Sequence, residues 1–358
     1  MVRWRSGRVV AVGREWPGAR EVDVAVDGEI VRALAYTAAV GSPEPDDTVL
    51  LNTAALARGL GTGGYALVVA VPDRLPPDPP AGPGHLVKAR YTPLQQIVLG
   101  VDEQESAHHE TLRDADDLAG MPVVVHDLHS ALPAILAALR HDRPDATVAY
   151  LMSDGGALPL AFSRSVAALR DAGWLAGTVT VGQAYGGDLE AVTVHSGLLA
   201  ARLVVGADVV VVTQGPGNLG TGTRWGFSGV ATGEAVNAVG VLGGRPVAAL
   251  RVSAADPRDR HRGVSHHSLT AYGRVALAGA DVAVPELPDP EFAGRVRDQL
   301  RALPDRHRLV DVPVTDLAGA LKAAPVRLSS MGRGLDDDLP YFLAAAAAGR
   351  HAASLLNR

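Results

Sequence analysis

The sequence predicts an α/β protein: a mostly parallel, helix-covered, Rossmann-like sheet preceded by a small N-terminal β-barrel of the OB or SH3-like kind. Three observations predict it. Five short β runs fall within the first ~70 residues, separated by turn signals, which is the signature of a small barrel. A proline-rich segment, Leu75-Pro-Pro-Asp-Pro-Pro-Ala-Gly-Pro-Gly84, follows. From His85 onward, apolar β runs alternate with helical patterns, the signature of a parallel sheet. The expected domains are residues 1–74 (barrel), 75–84 (linker) and 85–358 (α/β).

In the barrel the runs are Gly7–Val12, Glu21–Val26, Glu29–Leu34, Thr48–Asn52 and Tyr65–Val71. Trp16-Pro-Gly and Asp27-Gly28 punctuate them, the second as a hairpin turn. Residues 1–82 hold eight Arg against ten Asp or Glu, so the basic face of a nucleic-acid-binding barrel is missing. Packing against the larger domain is the expected role. Prolines leave 75–84 no helix and no ladder, so it reads as an extended spacer.

The α/β part opens with Pro122–His126, then a helix near 130–141 with Ile135, Leu136 and Leu139 on one face. Thr147–Met152 is the next strand. A helix is expected from Pro159, with Phe162, Val166 and Leu169 inward and Gly173 past its end. Gly177–Val181 follows, then Asp208–Thr213, apolar without alternation as in a strand buried on both faces. A helix near 229–242 leads to Pro246–Val252, and another runs from His266 to Leu277 with Ser265 as N-cap. Later helices are expected near 290–302, 316–323 and 340–356. Arg308–Val312 and Val326–Ser330 are candidate additions to the same sheet, and the alanine-rich tail reads as a strong helix former.

Composition narrows the function classes. Of 358 residues 47% are apolar, which excludes disorder as the main state. No apolar run reaches the ~18 residues of a membrane span, and early charges such as Arg8 and Arg14 break any signal-like core. The absence of cysteine excludes disulfides, thiolate-ligated zinc or iron–sulfur sites and a thiol nucleophile. These features point to a cytoplasmic protein. With a net charge of −6 there is no general attraction to nucleic acid, and a membrane partner is not expected. A small-molecule ligand is, and a homo-oligomer stays open.

In an open parallel sheet, ligands sit beyond the carboxyl ends of the strands. Polar, Gly-rich segments fall there five times: His126-Asp-Leu-His129, Ser153-Asp-Gly-Gly156, Gln183–Asp188, Gln214–Thr223, and Arg251 with His261–Ser268. The fourth holds G-x-G-x-x-G at Gly215, Gly217 and Gly220. Glycine lets a ligand approach backbone N–H groups that bind anions, so Gly215, Gly217, Asn218, Gly220 and Thr221, with Gln183, are the candidate cofactor or anion contacts. The dinucleotide fingerprint is imperfect, because Thr221–Phe227 postpones the helix and Arg251 stands where an acidic residue is wanted. A purely structural loop is the competing reading.

His266 and His267 would begin a helix, where its dipole keeps imidazole neutral and able to accept a proton or bind a metal. With Asp154 as a carboxylate partner they are the candidate catalytic residues; packing and capping are the alternative. His126, His129 and His195 are the candidate metal ligands, with Asp127 and Asp154 as further donors, for Zn²⁺, Mn²⁺ or Fe²⁺. No standard zinc spacing joins them, and capping or turn roles compete. Arg333, between two glycines, could reach an anion, though a structural role is favoured.

Several segments together carry a family resemblance: Gly61-Thr-Gly-Gly-Tyr65, Tyr91-Thr-Pro-Leu-Gln, Ser153-Asp-Gly-Gly, Gln214-Gly-Pro-Gly-Asn-Leu-Gly-Thr-Gly, Arg262-Gly-Val-Ser-His-His and Met331-Gly-Arg-Gly-Leu. Over nearly its whole length the chain resembles a bacterial family known as a domain of unknown function. That resemblance implies no activity and carries no catalytic residue. The residues themselves favour a hydrolase or transferase acting on a small anionic substrate, such as a phosphorylated one. A non-enzymatic ligand-binding or scaffold protein is the alternative, and a dinucleotide-dependent oxidoreductase a weaker one.

Overall fold

A computed structural model describes residues 1–356. β1 (Trp4–Trp16), β2 (Ala19–Val26), β3 (Glu29–Tyr36), β4 (Thr48–Asn52) and β5 (Ala66–Ala70) close a barrel in the order β1-β2-β3-β5-β4. β4 returns antiparallel to β1, and β5 runs parallel to β3. The Asp27-Gly28 turn between β2 and β3 has positive φ at both residues, 51° and 87°, as a type I′ hairpin requires. Val9, Val24, Ala33, Leu51 and Val68 fill the barrel.

The barrel is docked on the larger part. Trp16 Nε1 donates to the Ala161 carbonyl at 2.6 Å, and Leu34 and Tyr65 pack with Ala161 and Phe162. That contact explains a departure from the expected helix. Pro159 precedes a 3₁₀ turn, Leu160–Phe162, that meets the barrel, and the helix proper is Arg164–Asp171, capped by the Ser163 hydroxyl.

Residues 75–84 form neither helix nor strand. After them β6 (Leu86–Lys88) and β7 (Gln96–Val98) form a hairpin that the sequence pattern did not announce. It carries Lys88 into the interior, where Nζ lies 3.2 Å from Glu190 and donates to the Ala184 and Ala191 carbonyls. Glu103 is buried and accepts from the Gly100 amide.

The sheet strands are β8 (Pro122–His126), β9 (Val148–Ser153), β10 (Gly177–Thr180), β11 (Leu189–Glu190), β12 (Val209–Gln214) and β13 (Arg245–Ala249). A short antiparallel pair follows, β14 (Val252–Ser253) with β15 (Gly263–Val264), and β16 (Asp281–Glu286) and β17 (Arg308–Pro313) complete the sheet. The order is β11-β10-β9-β12-β8-β13-β16-β17, and every pair is parallel. Central β8 and β12 are buried along their whole length, as an apolar run without alternation requires. Arg308–Pro313 joins the sheet, whereas Ser329–Ser330 pairs only with Arg333–Gly334.

Helices cover the sheet in two packed groups. One pairs Leu132–Asp142 with Leu339–Ser354. The alanine tail is buried here, not merely helix-forming: Ala344–Ala348 are inaccessible, and a Cβ on Gly349 would overlap the Ile135 carbonyl. The other group includes Val194–Leu203 and Ala231–Val241. The helix after Ser265 is shorter than expected. It spans His266–Thr270 and widens into a π turn, Ala271–Val275. Asn237 ends it by accepting the Leu277 and Ala278 amides. No helix among the described residues is long and apolar enough to cross a membrane.

Candidate functional site

Three adjacent strands, in the order β12-β8-β13, deliver polar residues at their carboxyl ends: Gln214, His126-Asp127 and Arg251. All four side chains are buried. The segment around β15 supplies the rest. A 3₁₀ turn, Asp259–His261, presents His261, and the Ser265 cap starts the helix that presents His266 and His267.

The rings of His261, His266 and His267 lie 4.4–5.0 Å apart between centroids. Each offers a ring nitrogen, and those three atoms lie within 4.8 Å of one another. Phe227 stacks on His267 at 3.8 Å and 4°. His267 Nδ1 is 3.1 Å from Asp127 Oδ2, and Arg251 Nη1 is 3.5 Å from the same oxygen. His261 Nδ1 meets Ser265 Oγ at 2.7 Å.

Four buried side-chain polar atoms lack a hydrogen-bond partner among the described residues. Three belong to this edge: His126 Nε2, Gln214 Oε1 and His266 Nε2. Buried polar atoms are normally paired, so their concentration in one place marks a site more than a packing defect.

Burial pushes His261 down to about 3 and His266 to about 4, with neighbouring histidine and arginine charges acting in the same direction. Both are neutral at pH 7. Burial would raise Asp127, but the His267 hydrogen bond and the Arg251 charge override it and hold the carboxyl well below its usual range. Burial also lowers His126, whose Nδ1 accepts the Leu128 amide.

A cavity of about 610 Å³ adjoins the cluster, lined by His266, Arg224, Arg260, Arg274 and Gly222 among others. None of the three guanidiniums makes a hydrogen bond or ion pair with the described residues, in contrast to Arg333, which is engaged by Asp256 and Asp338.

The residues singled out from sequence divide accordingly. His266 and His267 come together, joined by His261, which the sequence places in the same polar segment but without a role. Asp154 is occupied elsewhere: Oδ1 accepts the Gly156 and Ala157 amides and Oδ2 the Gln183 amide, a turn and a loop staple. Gln183 Oε1 accepts the Arg90 amide. The expected trio His126, His129 and His195 is not assembled, and the group close enough to share a metal among the described residues is His261, His266 and His267. Both nitrogens of His129 are taken, by Ser163 and Tyr150, and His195 is exposed at a helix start.

In the Gly-rich loop, a Cβ on Gly215 would press on Leu158 and Met152, so that glycine serves packing. Gly217 has φ +97° and Gly220 faces open space. Asn218 joins the site through Asp127 (3.5 Å) and Ser228 (3.0 Å). Thr221 pairs with Gly226 across a small hairpin, which is why the helix waits until Ala231. Arg251 is placed at this edge by the sequence but given no role, and the three cavity arginines were missed as site residues. Position at the end of a central strand was the available signal for Arg251; the others are brought in only by folding.

Fold and site together define an α/β protein with a barrel attached and a histidine-rich cleft at the carboxyl edge of its parallel sheet. The chain belongs to the family described as protein of unknown function (DUF3866), whose profile matches residues 32–349. The match begins inside β3. No curated protein matches the chain.

Proposed function

We propose that the protein is an enzyme, a hydrolase or group transferase, whose substrate is a small anion bound in the arginine-lined cavity and acted on at the histidine cluster. The observation that carries this is the placement of Arg224, Arg260 and Arg274, without ionic partners, around a cavity that His266 also lines. Guanidinium groups bind phosphate and carboxylate by paired charge-assisted hydrogen bonds, so a phosphorylated substrate suits the cavity well. The Gly217–Thr221 segment borders the same edge. The all-parallel order supports reading the sheet as Rossmann-like, with its ligand at the carboxyl ends. The order β1-β2-β3-β5-β4 with its parallel β3–β5 pair favours the OB plan for the barrel.

A dinucleotide-dependent oxidoreductase is the weaker reading, because the glycine loop closes on itself before any helix begins. The test is turnover of a panel of phosphomonoesters, phosphoanhydrides and small carboxylate esters. Arg260→Gln and Arg274→Gln are expected to raise KM about tenfold each, the value of one hydrogen bond to a charged group. His266→Gln and His267→Gln are expected to abolish turnover while the chain stays folded. Binding without turnover of any class would favour a ligand sensor, and loss of fold in the histidine variants would return those residues to a structural role.

A further inference from the structure

We propose that His261, His266 and His267 form a mononuclear centre for a borderline divalent cation, zinc foremost, with Asp127 orienting His267 from behind. This deepens the reading above, since the metal would stand at the border of the arginine-lined cavity.

Each of the three rings has one nitrogen free. His267 Nδ1 lies between Asp127 Oδ2 at 3.1 Å and Arg251 Nη1 at 3.2 Å, so Nδ1 is engaged in either tautomer and Nε2 is left as ligand. A carboxylate behind a ligating imidazole is the usual outer partner of such sites; it fixes the tautomer and raises ligand basicity. Asp127 is itself held, by Arg251 Nη1 and Asn218 Nδ2, each at 3.5 Å. His261 Nδ1 is occupied by Ser265 Oγ, which also accepts the His267 amide, so His261 likewise keeps Nε2 open. His266 Nε2 is buried with no partner. Three imidazoles thus each retain an open nitrogen.

Spacing agrees with the inference. Tetrahedral zinc with bonds of 2.0–2.1 Å places its nitrogens about 3.3 Å apart. One ring nitrogen from each of the three lies within 4.8 Å of the others, near enough for side-chain rotation to close them onto one ion. All three ligands come from residues 261–267, on one 3₁₀ turn and one helix start braced by the same Ser265 hydroxyl. Phe227, flat against His267, restricts that ring's rotation. Imidazole donors without thiolate suit zinc and its neighbours over softer cations. Three protein ligands leave a fourth position for water or a substrate oxygen, the composition of a catalytic zinc site as opposed to a closed structural one.

The experiment titrates chelator-stripped full-length protein with Zn²⁺ against a chromophoric chelator, and in parallel with Co²⁺ by visible absorption. One equivalent per chain and the intense bands of four-coordinate Co²⁺ are expected. His261→Ala and His266→Ala are expected to weaken Zn²⁺ at least 100-fold, and the exposed His195→Ala to leave it unchanged. Glutamine at the same positions serves where alanine unfolds the chain. No stoichiometric binding, or binding insensitive to His261 and His266, overturns the proposal. Pyrophosphate binding by the metal-free protein is measured alongside. Anion binding without metal binding refutes the metal centre alone, and metal binding without anion binding refutes the substrate reading alone.

Discussion

Asp127 and His267, 140 residues apart in the chain, meet at 3.1 Å between Oδ2 and Nδ1, with the Arg251 guanidinium closing the third side. The contact ties the end of β8 to the helix after β15, and it sets which histidine nitrogen stays available.

Asp127→Asn should therefore act twice. It removes the anion that compensates a buried guanidinium, so urea unfolding should show a loss of about 3–5 kcal/mol. Turnover and Zn²⁺ affinity should fall about 10–100-fold through loss of the outer partner. Adding Arg251→Met should recover most of the stability and none of the activity. Recovery of both would make the pair a structural brace only.

His129 gives a pH prediction away from the histidine cluster. Burial pushes it down to about 4, whereas the unfolded chain titrates near ~6.5. Between those values the unfolded state binds the extra proton. The contribution of neutral His129 is therefore complete above pH ~6.5 and is lost as pH falls toward ~4, to a total of roughly 3 kcal/mol. His126 and His307 act in the same direction. Denaturant unfolding from pH 4.5 to 7.5 should show stability rising with pH. His129→Gln should reduce that slope by up to about 1.4 kcal/mol per pH unit, one proton's worth. An unchanged slope would show that His129 titrates normally in the fold.

Lys88, one of two lysines in the chain, is buried against Glu190. Burial lowers the lysine and raises the glutamate, and their mutual attraction opposes both shifts. Lys88→Met leaves the carboxylate without its cation and should cost about 3–5 kcal/mol by chemical denaturation. Lys88→Met with Glu190→Leu should regain most of it. Equal destabilisation by the single and double variants would contradict a paired role.

Much of the fold was legible because local patterns carry it. Five β runs and the Asp27-Gly28 turn announced the barrel, and Asp208–Thr213 announced a strand buried on both faces. What failed depended on contacts distant in sequence. Pro159 looked like a helix start, but the barrel holds Leu160–Phe162 as a separate turn. The β6–β7 hairpin is too short and too exposed to show an alternation. Within the site, His266-His267 stood out as an adjacent pair at a strand–helix junction. His261 belongs with them only because the 3₁₀ turn folds back, and Asp127 becomes their partner only because β8 and β13 are neighbours. His129 carried the same sequence signal as His126, yet the fold spends both its nitrogens on Ser163 and Tyr150.

Under the proposed function, the three unpaired arginines and the histidine cluster serve one anionic ligand. Calorimetric titration of inorganic pyrophosphate tests it most directly, comparing the native chain with a variant carrying Arg224→Gln, Arg260→Gln and Arg274→Gln. Saturable 1:1 binding to the native chain is expected, with a loss of about 1000-fold in the variant at unchanged Tm, from about tenfold per guanidinium. Equal affinity in the two proteins, or no binding to either, would contradict it.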